Sequence, residues 1–582
     1  MLELGQIKIR VQDAPEDEKA YLREYAAEKL GVPSEGMRKF EVYKRSLDAR
    51  NKPEIFYIYS VRFLADDEES ILKKNHKNKN LRMVKKQVMY ESRLTQLRQF
   101  ADAGIVVVGS GPAGLFAAYA LALRGLRPIV IERGAPMEER VGEVERFWRD
   151  GVLNEECNVC FGEGGAGTFS DGKLNSGVKD RDGSKRFILE TFVRFGANRE
   201  VLYDAKPHIG TDVLRTVIVN MRKAMEKQGC VFLFHTKFMG VEKRGDRVSG
   251  VWVKQGELRD TIPCEFLVLA IGHSARDTFK KLHEQRIEMC AKPFAVGVRV
   301  QHRQSDIDRA QYGAQEDDKT WDAGASEDAQ AMGQSLPAAT YKLTGKTSDD
   351  RGVYSFCMCP GGYVVNASTE PGGLLVNGMS NVGRDSGSSN AAIVVTVDPA
   401  GAMDGEDIFV GVNYQRELEH AMYHVAAGKI PVQRYGEFKQ ETDRLISTDV
   451  TEEGSGVSNG GAPEGNVHIP GLSSNQPAVM GQWTYADVAS ALPEDIATAV
   501  REAIDQFGKK IQGFDADDTL ILGVESRTSS PVRIVRDDES LESISLPGLY
   551  PCGEGAGYAG GILSAAMDGL RVAERIGERL MQ

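Results

Sequence analysis

Residues Ala103-Gly104-Ile105-Val106-Val107-Val108-Gly109-Ser110-Gly111-Pro112-Ala113-Gly114 decide the fold of this 582-residue chain. They run as an apolar strand into a glycine turn and on into the helix-forming LFAAYALALRG. A second apolar stretch, Pro128 to Ile131, then ends in Glu132 and Arg133. Strand, tight turn, helix, strand and acid, in that order, make the βαβ unit that holds dinucleotides. Gly109 permits the turn off the strand, Gly111 lacks the β-carbon that would hold a pyrophosphate away from the backbone, and Gly114 lets the helix pack close. The helix that opens at Pro112 and Ala113 offers its unpaired N–H groups and positive dipole end to phosphate. Glu132 is placed to accept hydrogen bonds from an adenosine ribose, with Arg133 beside it in the same site.

The chain is long enough for several domains. Its composition, 41% hydrophobic and 27% charged, is that of an ordinary soluble protein. No apolar stretch approaches membrane-spanning length and no signal-peptide core opens the chain, so a cytoplasmic protein is expected. Eight cysteines in so long a chain do not form a disulfide framework. A net charge of −12 argues against nucleic acid as the main partner and leaves a small-molecule substrate as the expected one. Oligomeric state is left open.

Outward from the central motif, residues 1–98 read as a small α+β unit. Ile7, Ile9 and Val11 alternate as in a strand, Asp13-Ala14-Pro15-Glu16 has the form of a helix start, and Gly31 closes that helix. Phe40 to Arg45 and Ile55 to Leu64 supply two further strands. A basic stretch follows, with Lys73, Lys74, Lys77, Lys79, Arg82, Lys85 and Lys86; without interleaved aromatics it reads as a solvated face. Residues 99–285 read as the first part of a nucleotide-binding domain, with a helix from Thr211 to Lys227, short strands over Cys230–His235 and Val248–Val253, and a return strand from Phe266 into Gly272. Residues 286–519 read as an inserted, mostly β substrate domain that includes the apolar runs Ala391–Val397 and Ile408–Val412. Two segments without periodicity, about 313–336 and 448–480, are expected to be mobile loops. Residues 520–582 complete the nucleotide domain. The expected class is therefore α/β: a Rossmann-like domain with an inserted mostly β domain and a small N-terminal α+β domain.

Near the C-terminus, Gly548-Leu549-Tyr550-Pro551-Cys552-Gly553-Glu554-Gly555-Ala556-Gly557 precedes a helix from Ile562 to Arg575. A strand here delivers Gly553 and Glu554, and then Gly561 and Ile562, to a helix N-terminus, as if closing the domain that Gly111 opened. Together the two motifs resemble the two-part FAD site of glutathione-reductase-like flavoproteins, and Ala270-Ile271-Gly272 is similar to their third motif. The run Asn158-Val159-Cys160-Phe161-Gly162-Glu163-Gly164-Gly165-Ala166-Gly167-Thr168-Phe169-Ser170-Asp171-Gly172-Lys173-Leu174 resembles a bacterial family of uncharacterised FAD-dependent dehydrogenases. So do FCMCPGG from Phe356, NGMSN from Asn377, GVESRTSSPVRI from Gly523 and GEGAGYAGGI from Gly553. The resemblance covers nearly the whole chain. It implies FAD as cofactor and an oxidoreductase, and names no substrate.

Within these motifs, Gly164, Gly165 and Gly167 offer N–H groups to phosphate or to the flavin's pyrimidine edge, with Asp171 and Lys173 as polar candidates beside the ring. Cys157 and Cys160 form a C-x-x-C that would suit an NAD(P)H-dependent disulfide reductase, although the residues after Cys160 depart from that pattern. Cys357 and Cys359 have a spacing that strains a mutual disulfide. They are candidates to line the active site, and no metal site is expected of the four thiols. Arg299, Tyr354, Arg384, Arg527 and Arg533 are candidates to clamp an anionic substrate, and His273 is a candidate for acid–base work. Catalysis is thus open among Cys357, Cys359, Arg527 and Lys173. A single dinucleotide fingerprint implies that NAD(P)H, if it donates electrons, binds transiently at the substrate face. A flavin-dependent RNA-modifying or RNA-binding factor, using the N-terminal unit, is the alternative from another class.

Overall fold

The computed structural model describes residues 1–85, 89–174, 177, 178, 180, 182–313, 336–399, 407–446 and 475–582, with backbone alone for 441–446. Lys86 of the basic stretch and most of the two expected loops lie outside the described residues.

Four strands, Leu2–Arg10, Arg38–Asn51, Glu54–Leu64 and Leu81–Met83, form an antiparallel N-terminal sheet in the order second, third, first, fourth. Leu2 and Leu4 are buried in this unit's core, and so are Ile7 and Ile9, which breaks a strict alternation of two. The register shifts between Leu4 and Ile7, and Gln6 has a φ of +56°, so the extra residue of a bulge turns both pairs inward. Val11 leaves the strand for a 3-10 turn, Val11–Asp13. The helix begins later than the Asp13 signal suggests. Asp17 caps it by accepting from Ala20 N at 2.9 Å, and it runs Glu18–Leu30 to a left-handed Gly31. Arg45 joins the unit to the next one, donating to Asp204 and to Glu18 at 2.7 Å each.

The central sheet is parallel, in the order Leu549–Pro551, Phe266–Leu269, Ile105–Val108, Ile129–Ile131, Val231–Leu233. Ile105 to Val108 and Phe266 to Leu269 are buried throughout, which is why they read as unbroken apolar runs. The helices Pro112–Leu123 and Ile562–Leu580 lie against each other so closely that a β-carbon on Gly569 would stand 2.1 Å from the Ala113 carbonyl oxygen. The two ends of this domain, some 440 residues apart in sequence, therefore share one core.

The middle of the chain forms a seven-stranded sheet in the order Thr344–Lys346, Gly352–Cys359, Ser388–Val397, Phe294–Arg303, Leu520–Glu525, Ile430–Arg434, Trp483–Tyr485. Leu520–Glu525 pairs with Phe294–Arg303, so this sheet extends past the division drawn at residue 520. The run Ile408–Val412 is not a strand. It leads into the helix Val410–Val425, whose buried Val412, Gln415, Leu418, Glu419 and Met422 keep helical spacing. The second expected loop ends earlier than the sequence suggests, because Val479–Met480 pairs with Tyr363–Asn366. Among the described residues no helix is long and apolar enough to cross a membrane.

Candidate functional site

A cavity of about 370 Å³ opens at the carboxyl ends of Ile105–Val108 and Phe266–Leu269, where an open α/β sheet binds its ligands. Gly109, Gly111, Pro112, Ala113, Glu132 and Arg133 of the first motif line it. Gly165, Gly167 and Gly272 do so as well, together with Glu554, Gly561 and Ile562 of the last. The far wall comes from the seven-stranded sheet and its neighbours, through Phe356, Cys357, Asn377, Glu525 and Arg527, and Lys173 stands between the two walls. Gly114, Gly164 and Gly553 do not reach the cavity. A β-carbon there would meet the Gly109 carbonyl oxygen at 1.9 Å, the Thr168 methyl at 2.3 Å and the Ala113 β-carbon at 2.6 Å, so these three serve the packing behind the wall.

Two helices begin at this cavity. Pro112–Leu123 starts from Gly111 and Ile562–Leu580 from Gly561, and neither start carries a side-chain cap, which leaves their first N–H groups for a ligand. Glu132 does more than face a ribose. One carboxylate oxygen accepts from Ser110 N at 3.0 Å and Ser110 Oγ at 2.8 Å, the other from Gly134 N and Gly162 N at 3.0 Å each. It therefore ties the first glycine turn to the second glycine loop, and a ribose hydroxyl must share it with Ser110. Arg133 is held by Asp277 at 2.6 Å and lies over the Phe161 ring. His273 Nδ1 stands 3.4 Å from Glu554 Oε1.

Arg140, which no sequence motif singles out, shapes the glycine loop from within. Fully buried, it donates to the carbonyls of Asn158, Val159 and Gly165 and to Thr168 Oγ1, between 2.8 and 3.1 Å. Burial lowers its pKa to about 10. The arginines expected to clamp a substrate are committed to the protein. Arg299, fully buried, donates to Glu525 at 2.9 Å, Asn390 at 2.8 Å and Asn377 at 2.9 Å. Arg384 binds Asp171 at 3.0 Å, and Arg527 binds Glu419 at 2.6 and 2.8 Å and Thr369 at 2.7 Å. Arg533 lies over the Tyr558 ring, and Tyr354 packs on the sheet beside Ala295, Ala392 and Val394; neither lines the cavity. Arg299 and Arg384 thus hold wall residues in place, and Arg527 is itself held in the wall.

Lys173 forms an ion pair with Asp171 at 2.9 Å and donates to the Met358 carbonyl. Burial pulls its pKa down, but Cys359 and the Asp171 carboxylate outweigh this and raise it, so it stays an ammonium. Burial also raises Asp171, and Lys173 and Arg384 overcome it, so the carboxyl stays ionised. The C-x-x-C pair is divided: Cys160 reaches the cavity, while Cys157 is buried behind it with its thiol pushed up by desolvation. Cys357 lines the cavity and Cys359 lies buried next to it, with the sulfurs 4.0 Å apart. Among the described residues no cluster of three or more His, Cys, Asp or Glu side chains is placed to hold a metal.

The family model described as "FAD-dependent protein, C-terminal domain-like" matches residues 293–458 and 466–528. That of the Thi4 family matches 86–139, and a domain of unknown function matches 1–64. An uncharacterised protein of Clostridium beijerinckii is 39% identical over 568 residues, which are 97% of this chain and 97% of that one. The chain belongs to the FAD-dependent oxidoreductase family. Solved structures resemble this flavoprotein distantly. A geranylgeranyl bacteriochlorophyll reductase-like protein of Thermoplasma acidophilum is 11% identical over 82% of this chain and 78% of that one, with a TM-score of 0.32. The glycine oxidase of Bacillus cereus is 11% identical over 82% and 95%, with a TM-score of 0.30.

The cavity of the flavoprotein fits FAD on its own geometry. A β-carbon on Gly111 would meet only the Gly165 α-carbon, at 3.9 Å, and at Gly272, Gly560 and Gly561 it would meet nothing within 4 Å. Four glycines therefore border open space rather than protein, three of them at the starts of the two uncapped helices and Gly272 just past the strand Phe266–Leu269. Gly111 and Gly561 would hold the phosphates, Glu554 a ribityl or ribose hydroxyl, and the Gly165–Gly167 turn the ring.

Proposed function

We propose that this flavoprotein transfers a hydride equivalent between FAD and a small organic substrate bound against the wall formed by Lys173, Phe356, Cys357, Asn377 and Glu525. One observation carries the reading: the cofactor glycines and these side chains of the inserted sheet border a single cavity. FAD, when bound, supplies the two-electron chemistry. The protein's residues supply the rest. Lys173, kept cationic by Asp171, stabilises negative charge that develops at the ring edge or on the substrate. Arg299 fixes the Asn377 amide and the Glu525 carboxylate. Burial pushes the Glu525 pKa up against the pull of Arg299, which suits a group that passes a proton. Phe356 covers the site with an apolar face.

With no second dinucleotide unit in the sequence, NADH or NADPH would reach the flavin transiently at this same wall. The test is anaerobic addition of NADH, then NADPH, then a panel of small alcohols, amines and hydroxy acids to the FAD-loaded protein, while the visible flavin bands are followed. One of these donors is expected to bleach the bands, and Lys173→Met is expected to slow that bleaching about 100-fold. A flavin that dithionite reduces and none of these donors does would contradict the reading.

A further inference from the structure

Two sulfurs, Cys357 Sγ at the cavity wall and Cys359 Sγ behind it, are given no chemistry by that proposal. Residues i and i+2 of a regular strand stand about 7 Å apart, but the strand Gly352–Cys359 is not regular where it carries them. Its register against Ser388–Val397 breaks between Phe356 and Cys359, and Cys357 has a φ of +44°, a left-handed conformation that a residue with a β-carbon seldom adopts. This bend folds the C-x-C segment on itself and brings Cys357 Sγ to 4.0 Å from Cys359 Sγ. The spacing that would strain a disulfide in a straight strand is relieved by the break.

The surroundings are not those of two cysteines used as small apolar filler. Lys173 donates to the carbonyl of Met358, the residue between them. Arg299 donates to the Cys357 carbonyl at 3.0 Å, with the same nitrogen 4.0 Å from Cys359 Sγ. Two fixed cations thus flank the thiol pair. The pair is also asymmetric: Cys357 borders the cavity, whereas Cys359 is fully buried at its back.

We propose that Cys357 and Cys359 form a second two-electron centre, a dithiol that exchanges electrons with FAD by closing to a disulfide, with Cys357 as the sulfur facing the flavin and Cys359 as its resolving partner. The proposal rests on FAD occupying the cavity as described above. Cys357 thiolate and Cys359 thiol join in one S–S bond, the Cys359 S–H bond breaks, and the two electrons and that one proton pass to oxidised FAD to give its anionic reduced form. The reverse reaction opens the disulfide. A hydrogen bond from Cys359 holds the Cys357 thiol well below its usual pKa, and Lys173 and Arg299 add to this against the opposing effect of burial. Of the described cysteines whose thiols shift, Cys357 alone goes down; burial pushes up those of Cys157, Cys230, Cys264 and Cys552.

The test is an anaerobic dithionite titration of the FAD-loaded, diamide-oxidised full chain. The wild type is expected to take up four electrons per bound FAD, and Cys357→Ser and Cys359→Ser two each, with FAD content unchanged. The Cys157→Ser/Cys160→Ser double variant should keep four. A second readout needs no flavin. The tryptic peptide Gly352–Arg384 holds Cys357 and Cys359 and no other cysteine, so after diamide treatment of the native chain it should weigh two hydrogens less and resist alkylation. Uptake of two electrons by a wild type that binds FAD overturns the inference and spares the oxidoreductase reading. Loss of two electrons in the Cys157/Cys160 variant, or a peptide that stays open to alkylation, also overturns it. A chain that binds no FAD overturns both.

Discussion

Gly111 and Gly114 stand one helical turn apart and differ in what a methyl group would meet. At Gly111, in extended backbone with a φ of −72°, the β-carbon would enter the open cavity; at Gly114 it would collide with the Gly109 carbonyl oxygen. Gly111→Ala should therefore leave the urea midpoint of the FAD-free chain unchanged and weaken FAD binding at least 10-fold by fluorescence titration. Gly114→Ala should lower stability itself, by about 1–3 kcal/mol, because backbone has to move. Both roles were legible in the sequence, since a glycine at a fixed place in a strand–turn–helix has few physical reasons to be there. The arginines were less legible. Arg299, Arg384 and Arg527 showed as charges beside specific motifs, but a guanidinium's role depends on which carboxylate faces it, and Glu525, Asp171 and Glu419 arrive from distant parts of the chain. Arg140 gave no signal at all, because its acceptors are backbone carbonyls and one threonine hydroxyl.

At the scale of elements, the helix Val410–Val425 is fastened by one carboxylate. Glu419, fully buried, accepts from Arg276 on the helix Arg276–Glu284 and from Arg527 just after the strand Leu520–Glu525. Removing it as Glu419→Ala leaves two buried guanidiniums without this partner and should cost about 3–5 kcal/mol in urea unfolding. Burial alone would raise its pKa, but Arg527 and Arg276 outweigh that and hold it at about 2, against an ordinary 4.5. A folded-state pKa below the unfolded one means that the unfolded chain takes the proton first as pH falls. The stabilisation is thus complete above the ordinary value and drains away between about pH 4.5 and pH 2. Urea midpoints measured across that window should fall steeply for the wild type and less steeply for Glu419→Gln. The sequence misreads the start of this helix for a physical reason. Four apolar residues and a glycine, Ile408 to Val412, look the same in a buried strand and in a helix entry, and only the spacing of Leu418 and Met422 further on separates them. The bulge at Gln6 shows in the pattern as the slip from Leu2 and Leu4 to Ile7 and Ile9, whereas the break at Cys357 leaves no such mark.

At the scale of the molecule, the nucleotide domain is assembled from two separated stretches of the chain, one beginning near Ile105 and one at the C-terminal end, around an inserted sheet, and the cavity lies where they meet. This arrangement was legible because each half of the site is a local motif with its own strand and helix. The far wall was legible only in part: the motifs that carry Cys357, Asn377 and Arg527 stand out in the sequence, but Glu525 reaches the cavity through pairing with the distant strand Phe294–Arg303. A ligand held between the two should stabilise the whole: free FAD at 100 times its dissociation constant should add about 2.7 kcal/mol to unfolding and raise the melting temperature in a calorimetric scan. The most direct test of the central claim is the visible spectrum of the purified chain after incubation with FAD and removal of the excess. Flavin absorption bands from one FAD per chain, retained through gel filtration, are expected. A colourless protein that leaves all the FAD in the low-molecular-weight fraction would contradict that claim.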